Sequence, residues 1–119
     1  MATDTASDVG TASTNEPLHV DGQSHLDDIV EENDVVLTDF YADWCGPCQM
    51  LEPIVEKLAA ETDATVAKVD VDANQGLAAA YGVQGVPTLV LFADGEQVEE
   101  VVGVRGEEQL RSLIGRYTE

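Results

Sequence analysis

The stretch from Val35 to Tyr41 constrains the fold more than any other part of the chain. Its residues favour β-structure and are apolar at both odd and even positions, so a strand formed here has two apolar faces. Because each face must be covered, this strand belongs at the centre of a sheet with helices on both sides. The next apolar residues, Leu51, Ile54, Val55 and Leu58, recur at helical spacing. A buried strand that leads into a helix predicts an α/β fold.

Turn signals and periodicity divide the rest of the chain into short elements. Asp94-Gly95, between two β-prone runs, is a strong hairpin signal. We expect a helix capped by Ser24, a helix from near Cys45 to about Glu61 that Pro53 kinks, strands at 65–71, 88–92 and 97–102, a short helix at 74–81, and a final helix from Glu107. The sequence therefore predicts a central mixed β-sheet with helices on both faces and a C-terminal β-hairpin at its edge.

The charge balance excludes two classes of partner. The chain has 24 Asp and Glu residues against 5 Lys and Arg residues, which gives a formal net charge of −19. A field of this sign repels nucleic acids and anionic membranes. The acids are scattered along the chain, and Lys57 and Lys68 are its only lysines. This composition is typical of proteins adapted to high internal salt, where the Debye length falls to about 3 Å at 1 M. The alternative is an acidic protein from a mesophile without such adaptation.

Residues 1–16 are mostly Ala, Thr, Ser and Asp, and Val9 is their only branched aliphatic residue. Such a stretch cannot bury enough apolar surface to offset its ordering entropy. We therefore expect a disordered acidic tail at 1–16 and one domain at 17–119. The longest apolar run, Val86–Ala93, is too short to span a bilayer, and the N-terminus lacks the features of a signal peptide. We expect a cytoplasmic monomer.

The segment Trp44-Cys45-Gly46-Pro47-Cys48 holds both cysteines and lies where the central strand leads into a helix. A thiol at a helix N-terminus has a stabilised thiolate, because it faces the positive end of the helix dipole. A zinc site would need two more ligands, and His19 and His25 lie well upstream, not at the spacing of a zinc finger. A purely structural disulfide across so short a loop would add only about 2 kcal/mol of stability. Reversible dithiol–disulfide chemistry is the favoured interpretation.

Several segments carry a resemblance to a known family. They are residues 38–48, residues 67–72, Gly85-Val86-Pro87-Thr88, and Asp94-Gly95 with Gly103 after it. Trp-Cys-Gly-Pro-Cys followed later by Val-Pro-Thr is a highly specific combination. Over residues of about 18–118 the sequence resembles the thioredoxin family, although Tyr41 stands where the family often has Trp. The resemblance implies the thioredoxin fold and a protein-disulfide reductase that acts by thiol–disulfide exchange.

The resemblance also implies roles for individual residues. Cys45 would be the exposed nucleophile and Cys48 the buried thiol that resolves the mixed disulfide. Asp39 would accept a proton from Cys48, with Lys68 in support from the neighbouring strand. A buried carboxylate is costly unless it is protonated or paired, so a partly exposed strand acid is the alternative for Asp39. The Val86–Pro87 bond would be cis. The substrate-docking surface would comprise Trp44, Gly46, Pro47, Val71, Gly85, Val86, Pro87, Val102 and Gly103.

The same resemblance implies no bound cofactor or metal. Reducing equivalents would come from a thioredoxin reductase, and the substrates would be proteins with disulfides. One alternative is an oxidase or isomerase on the same fold, against which Gly46-Pro47 argues, because such oxidants usually carry a His between the cysteines. The other is a binding subunit without redox activity, against which the intact dithiol argues.

Overall fold

A five-stranded mixed sheet in the order β1-β3-β2-β4-β5 forms the centre of the protein. The structure is a computed structural model and describes residues 16–118. Its elements are β1 (Leu18–His19), α1 (Gly22–Glu32), β2 (Val35–Tyr41), α2 (Gly46–Glu61), β3 (Thr65–Asp70), α3 (Gln75–Ala80), β4 (Thr88–Ala93), β5 (Glu96–Val102) and α4 (Glu107–Gly115). The fold class predicted from the sequence is confirmed.

The strand β2 lies in the middle of the sheet, as its two apolar faces predict. It runs parallel to β3 and antiparallel to β4, and the register places Asp39 between Lys68 on one side and Leu89 on the other. The sequence analysis missed β1, which is two residues long and pairs with β3. So short a strand has no alternation to detect, and only its partner defines it.

Each face of the sheet has its own hydrophobic core. Side chains alternate along a strand, so Val36 and Phe40 pack into the core on the α1 and α3 side, while Val35 and Leu37 pack against α2 and α4. Asp39 has the same parity as Leu37 and therefore belongs to the face that α2 covers. This placement puts a carboxyl group beneath the helix that carries the cysteines.

The start of α1 differs from the prediction. The helix begins at Gly22, so Ser24 lies in its first turn and is not the N-cap. Other side chains accept hydrogen bonds from the backbone N–H groups at the start of the helix. The Gly22 N–H donates to Asn74 Oδ1 at 3.0 Å, and the Asp21 N–H donates to His25 Nδ1 at 2.9 Å. A partner 52 residues away replaces the local cap that the sequence pattern favoured.

The other predicted elements are confirmed with small changes in their ends. Asp94 and Gly95 turn the β4–β5 hairpin with positive φ values of 53° and 87°. Cys45 is the N-cap of α2, and Pro53 lies within that helix. The predicted tail falls, except for Glu16, outside the described residues. No helix in the described part of the chain is long and apolar enough to cross a membrane.

Candidate active site

The two cysteines lie at the N-terminus of α2, directly beyond the carboxyl end of β2. Cys45 is the N-cap, and its Sγ accepts a hydrogen bond from the Cys48 N–H at 3.1 Å. Gly46 and Pro47 form the first turn, where the missing N–H of proline does no harm. The two sulfurs are joined in a disulfide, with the Cα atoms 5.2 Å apart. When the bond is reduced, the helix N-terminus stabilises a thiolate at Cys45.

The accessibility of the cysteines differs from the expectation. Cys45 was expected to be exposed and Cys48 buried, yet each exposes only 4% of its surface. Val71 and Val86 pack against both, and Cys45 Sγ lies 3.7 Å from the Val86 carbonyl oxygen. Exposure therefore does not distinguish the two thiols. Their positions on the helix do, because Cys45 is the cap and Cys48 lies inside the first turn.

Asp39 is buried in the sheet behind the dithiol. It exposes 2% of its surface, and burial raises the pKa of its carboxyl from 3.8 to about 7, with Lys68 lowering it and Glu52 raising it. Its Oδ1 has no hydrogen-bond partner among residues 16–118. The alternative of a partly exposed strand acid is wrong. The carboxyl is a buried group able to exchange a proton near neutral pH.

Lys68, the neighbour of Asp39 on β3, is also buried and exposes 4% of its surface. Its ammonium does not pair with Asp39. It forms an ion pair with Glu52 on α2, and it lies 4.4 Å from the centre of the Tyr41 ring. The sequence analysis missed Glu52, although its position one helical turn after Cys48 could have marked it.

A recess of about 290 Å³ connects these groups with Cys48. It is lined by His19, Tyr41, Ala42, Asp43, Cys48, Gln49, Glu52 and Lys68. Asp39 lies behind this lining, next to Lys68 in the sheet. The structure thus brings Cys48, Lys68 and Glu52 to one cavity, which offers water a route to the buried end of the dithiol.

An apolar groove of about 160 Å³ lies on the other side of the dithiol. It brings together Trp44, Val71, Gly85 and Val86 of the predicted docking surface, and adds Ala78, Val83 and Gln84, which the sequence analysis missed. The Trp44 Nε1–H donates to Asp72 Oδ2 at 2.9 Å, which fixes an indole that is 71% exposed.

The rest of the predicted docking surface lies around the Val86–Pro87 bond, which is cis. The Gly103 N–H donates to the Pro87 carbonyl at 2.9 Å, and Gly103 takes a positive φ of 94° there. Val102 exposes 59% of its surface, and Gly46 and Pro47 are exposed beside Cys45. The structure thus brings Gly103 to Pro87, and leaves Gly46, Pro47 and Val102 exposed.

The histidines do not build a metal site with the cysteines. His19 lines the recess, whereas His25 accepts the Asp21 N–H at the start of α1. Within the described range no three His, Cys, Asp or Glu side chains are grouped so that they could hold a metal ion.

Known proteins are similar to this chain in sequence and in fold. The family model "Thioredoxin" matches residues 16–116. Thioredoxin from Mycobacterium tuberculosis is 45% identical over 95 residues, which span 78% of this chain and 82% of that protein. Thioredoxin from Chlamydia muridarum is 48% identical over 84 residues, or 70% of this chain and 82% of that one.

A solved structure extends the comparison. A point mutant of thioredoxin from Halobacterium salinarum has a TM-score of 0.88 and 73% identity, and the match covers 92% of this chain and 97% of that one. Together with the dithiol at the start of α2 and the cis Val86–Pro87 bond, these matches identify the family. The chain belongs to the thioredoxin family.

Proposed function

We propose that the protein reduces disulfides in protein substrates through Cys45 and Cys48, and that a thioredoxin reductase returns the pair to the dithiol form. Membership of the thioredoxin family makes the chain a thiol–disulfide oxidoreductase. The observation that supports the reductase role most directly is the Cys45–Cys48 disulfide at the N-terminus of α2, beside an apolar groove.

The reaction begins with the Cys45 thiolate, which attacks one sulfur of a substrate disulfide. The substrate S–S bond breaks, a mixed disulfide forms at Cys45, and the other substrate sulfur leaves as a thiolate. Cys48 then gives its proton towards the carboxylate of Asp39 and attacks Cys45 Sγ. The mixed disulfide breaks, the Cys45–Cys48 disulfide forms, and the second substrate sulfur leaves. The substrate gains two electrons and the protein's dithiol loses them.

The docking surface orients the substrate for this attack. The Val86 carbonyl oxygen lies 3.7 Å from Cys45 Sγ, within reach of an extended substrate backbone. Trp44 and the groove residues Val71 and Gly85 offer apolar contact on one side, and Val102 and Gly103 on the other. Shallow, largely apolar contact suits a protein that serves many different disulfides.

The surroundings in which the protein works belong to the same proposal. The net charge of −19 and the similarity to a Halobacterium thioredoxin support an organism with high internal salt. We place the protein in the cytoplasm as a monomer, because a reductase needs a reducing compartment and its docking surface must be free to meet substrates.

Insulin reduction tests the proposal. With NADPH and a thioredoxin reductase, in dilute buffer and in multimolar KCl, the wild type should reduce insulin. Cys45→Ser should abolish the activity, because the attacking thiolate is gone. Cys48→Ser should accumulate mixed disulfides at Cys45, because no second thiol resolves them.

Alkylation of the reduced protein provides the control for these assignments. Cys45 should react faster than Cys48 at neutral pH, since the helix N-terminus stabilises its thiolate. Faster alkylation of Cys48 would reverse the two roles. A wild type that oxidises reduced peptides but leaves insulin intact would make the protein an oxidase.

A further inference from the structure

Glu52 connects the buried charges of the site with solvent. It follows Cys48 by one turn of α2, so both side chains lie on the same helix face, and both line the recess. The Glu52 side chain is 42% exposed, whereas that of Lys68 is 4% exposed. The carboxylate therefore meets a buried ammonium on one side and water on the other.

One buried cation faces two carboxyl groups. Lys68 lies opposite Asp39 in the β2–β3 register, yet its ammonium pairs with Glu52. Tyr41, whose ring centre is 4.4 Å from the ammonium, adds a second contact. Within residues 16–118 nothing donates a hydrogen bond to Asp39 Oδ1. This oxygen therefore has no donor that would help to hold the carboxyl ionised.

The position of this ammonium contributes to the ionisation of Asp39, next to the larger effect of burial. A cation in contact with a carboxylate favours its ionised form, and a second carboxylate nearby opposes it. Burial is the largest cause of the raised pKa of Asp39, Lys68 acts against it, and the charge of Glu52 raises it further. Loss of the Glu52 charge would free the ammonium to approach Asp39 and would remove a repulsion. Both changes lower the pKa of Asp39.

We propose that Glu52 is a positioning residue of the dithiol site: it holds the Lys68 ammonium on the helix side of the recess, so that the ammonium does not pair with the Asp39 carboxyl. The proposal rests on the proposed function, in which Asp39 takes the proton of Cys48.

On the β4 side, the neighbour of Asp39 is the apolar Leu89. The other titratable groups that line the recess or the cavity next to it are Glu16, His19, Tyr41, Asp43, Cys48 and Glu56.

The test compares Glu52→Gln with the wild type, because glutamine keeps the size of the side chain and removes its charge. The Asp39 carboxyl is titrated in the oxidised protein by carbon NMR, and the pH profile of single-turnover disulfide reduction is recorded. We expect the Asp39 midpoint to fall by about one unit or more, and the kinetic profile to move in the same direction. Glu52→Asp, which keeps the charge, should retain most of the wild-type titration.

Glu56→Gln is the matched control, since Glu56 is exposed, lies one turn further along α2 and lines only the neighbouring cavity. In about 1 M KCl, interactions between exposed charges are screened beyond about 3 Å. Under these conditions Glu56→Gln should leave the titration midpoint of Asp39 unchanged. An unshifted midpoint in Glu52→Gln, or an equal shift in Glu56→Gln, would overturn the proposal. A wild type without reductase activity would refute the proposed function, while the NMR titration would still decide the role of Glu52.

Discussion

Asp39 is the residue at which the proposed function and stability oppose each other. The unfolded chain loses the Asp39 proton near pH 3.8, whereas the folded protein keeps it to about pH 7. Between these values the unfolded state gains free energy by ionising and the folded state does not, so stability falls as pH rises from about 4 to about 7. At 1.36 kcal/mol per pKa unit, the loss amounts to about 4 kcal/mol and is fully present above pH 7.

Asp39→Asn should therefore raise the free energy of unfolding of the oxidised protein at pH 8 by a few kcal/mol, and should change it little at pH 4. The same variant should slow resolution of the mixed disulfide, because Cys48 loses its proton acceptor. Urea midpoints at the two pH values and single-turnover rates measure both effects. Asp28→Asn, at an exposed position on α1, controls for the lost charge. Equal stability at pH 8 with an unchanged rate would remove Asp39 from the mechanism.

Among the elements, α3 and the loop after it are held in place by Asn74. Its Oδ1 accepts the Gly22 N–H of α1 at 3.0 Å, and its Nδ2 donates to the Asp70 carbonyl at the end of β3 at 3.1 Å. The same residue is the N-cap of α3, the element that leads to the groove residues Val83 and Gly85. The side chain of Asn74 thus joins α1 to the end of β3, and its backbone begins α3.

Asn74→Ala should cost about 1–3 kcal/mol of unfolding free energy, because it leaves the part-buried Gly22 N–H without its acceptor. Asn74→Asp keeps that acceptor, but it loses the bond to the Asp70 carbonyl and puts a carboxylate oxygen near it. In multimolar KCl, where this repulsion is weakened, it should cost less than Asn74→Ala. Urea unfolding of both variants in multimolar KCl measures the difference. Equal losses of unfolding free energy in the two variants would show that Asn74 does not stabilise the protein through its bond to the start of α1.

Across the whole molecule, negative charge exceeds what the cations can balance. Lys57, Lys68, Arg111 and Arg116 each form an ion pair with a carboxylate, and Arg105 donates to the Val104 carbonyl. These five are all the Lys and Arg residues of a chain with 24 acids, so most carboxylates have no cation to balance their charge. Self-repulsion of this kind destabilises the compact state and weakens with salt.

The melting temperature should therefore rise markedly between dilute buffer and about 2 M KCl, as the Debye length shrinks. A variant in which four exposed glutamates are replaced by lysine has a net charge of −11 instead of −19. The replaced residues are Glu31, Glu32, Glu100 and Glu108. This variant should melt higher in dilute buffer and respond less to KCl. Calorimetry of both proteins gives the comparison, and a wild-type melting temperature that does not move with KCl would contradict adaptation to high salt.

The sequence by itself determined the parts of the protein that depend on neighbours along the chain. Cys45 and Cys48 are three residues apart at a helix start, so their pairing follows from local geometry. The two apolar faces of Val35–Tyr41 placed β2 at the centre, and Asp94-Gly95 turned the hairpin, because turn conformation depends on a few adjacent residues. The same strand made burial of Asp39 an expectation, with partial exposure as the alternative that the structure then excluded.

Only the tertiary structure decided the contacts between residues that lie far apart in the sequence. Glu52 and Lys68 are 16 residues apart, Cys45 and Val86 41, and Gly22 and Asn74 52. Periodicity reports which face of an element is apolar, and it carries no information on which side chain of another element meets that face. For this reason the sequence pointed to the dithiol and to Asp39 as its proposed proton acceptor, whereas the ion pair beside them, the burial of Cys45 and the cap of α1 required the folded chain.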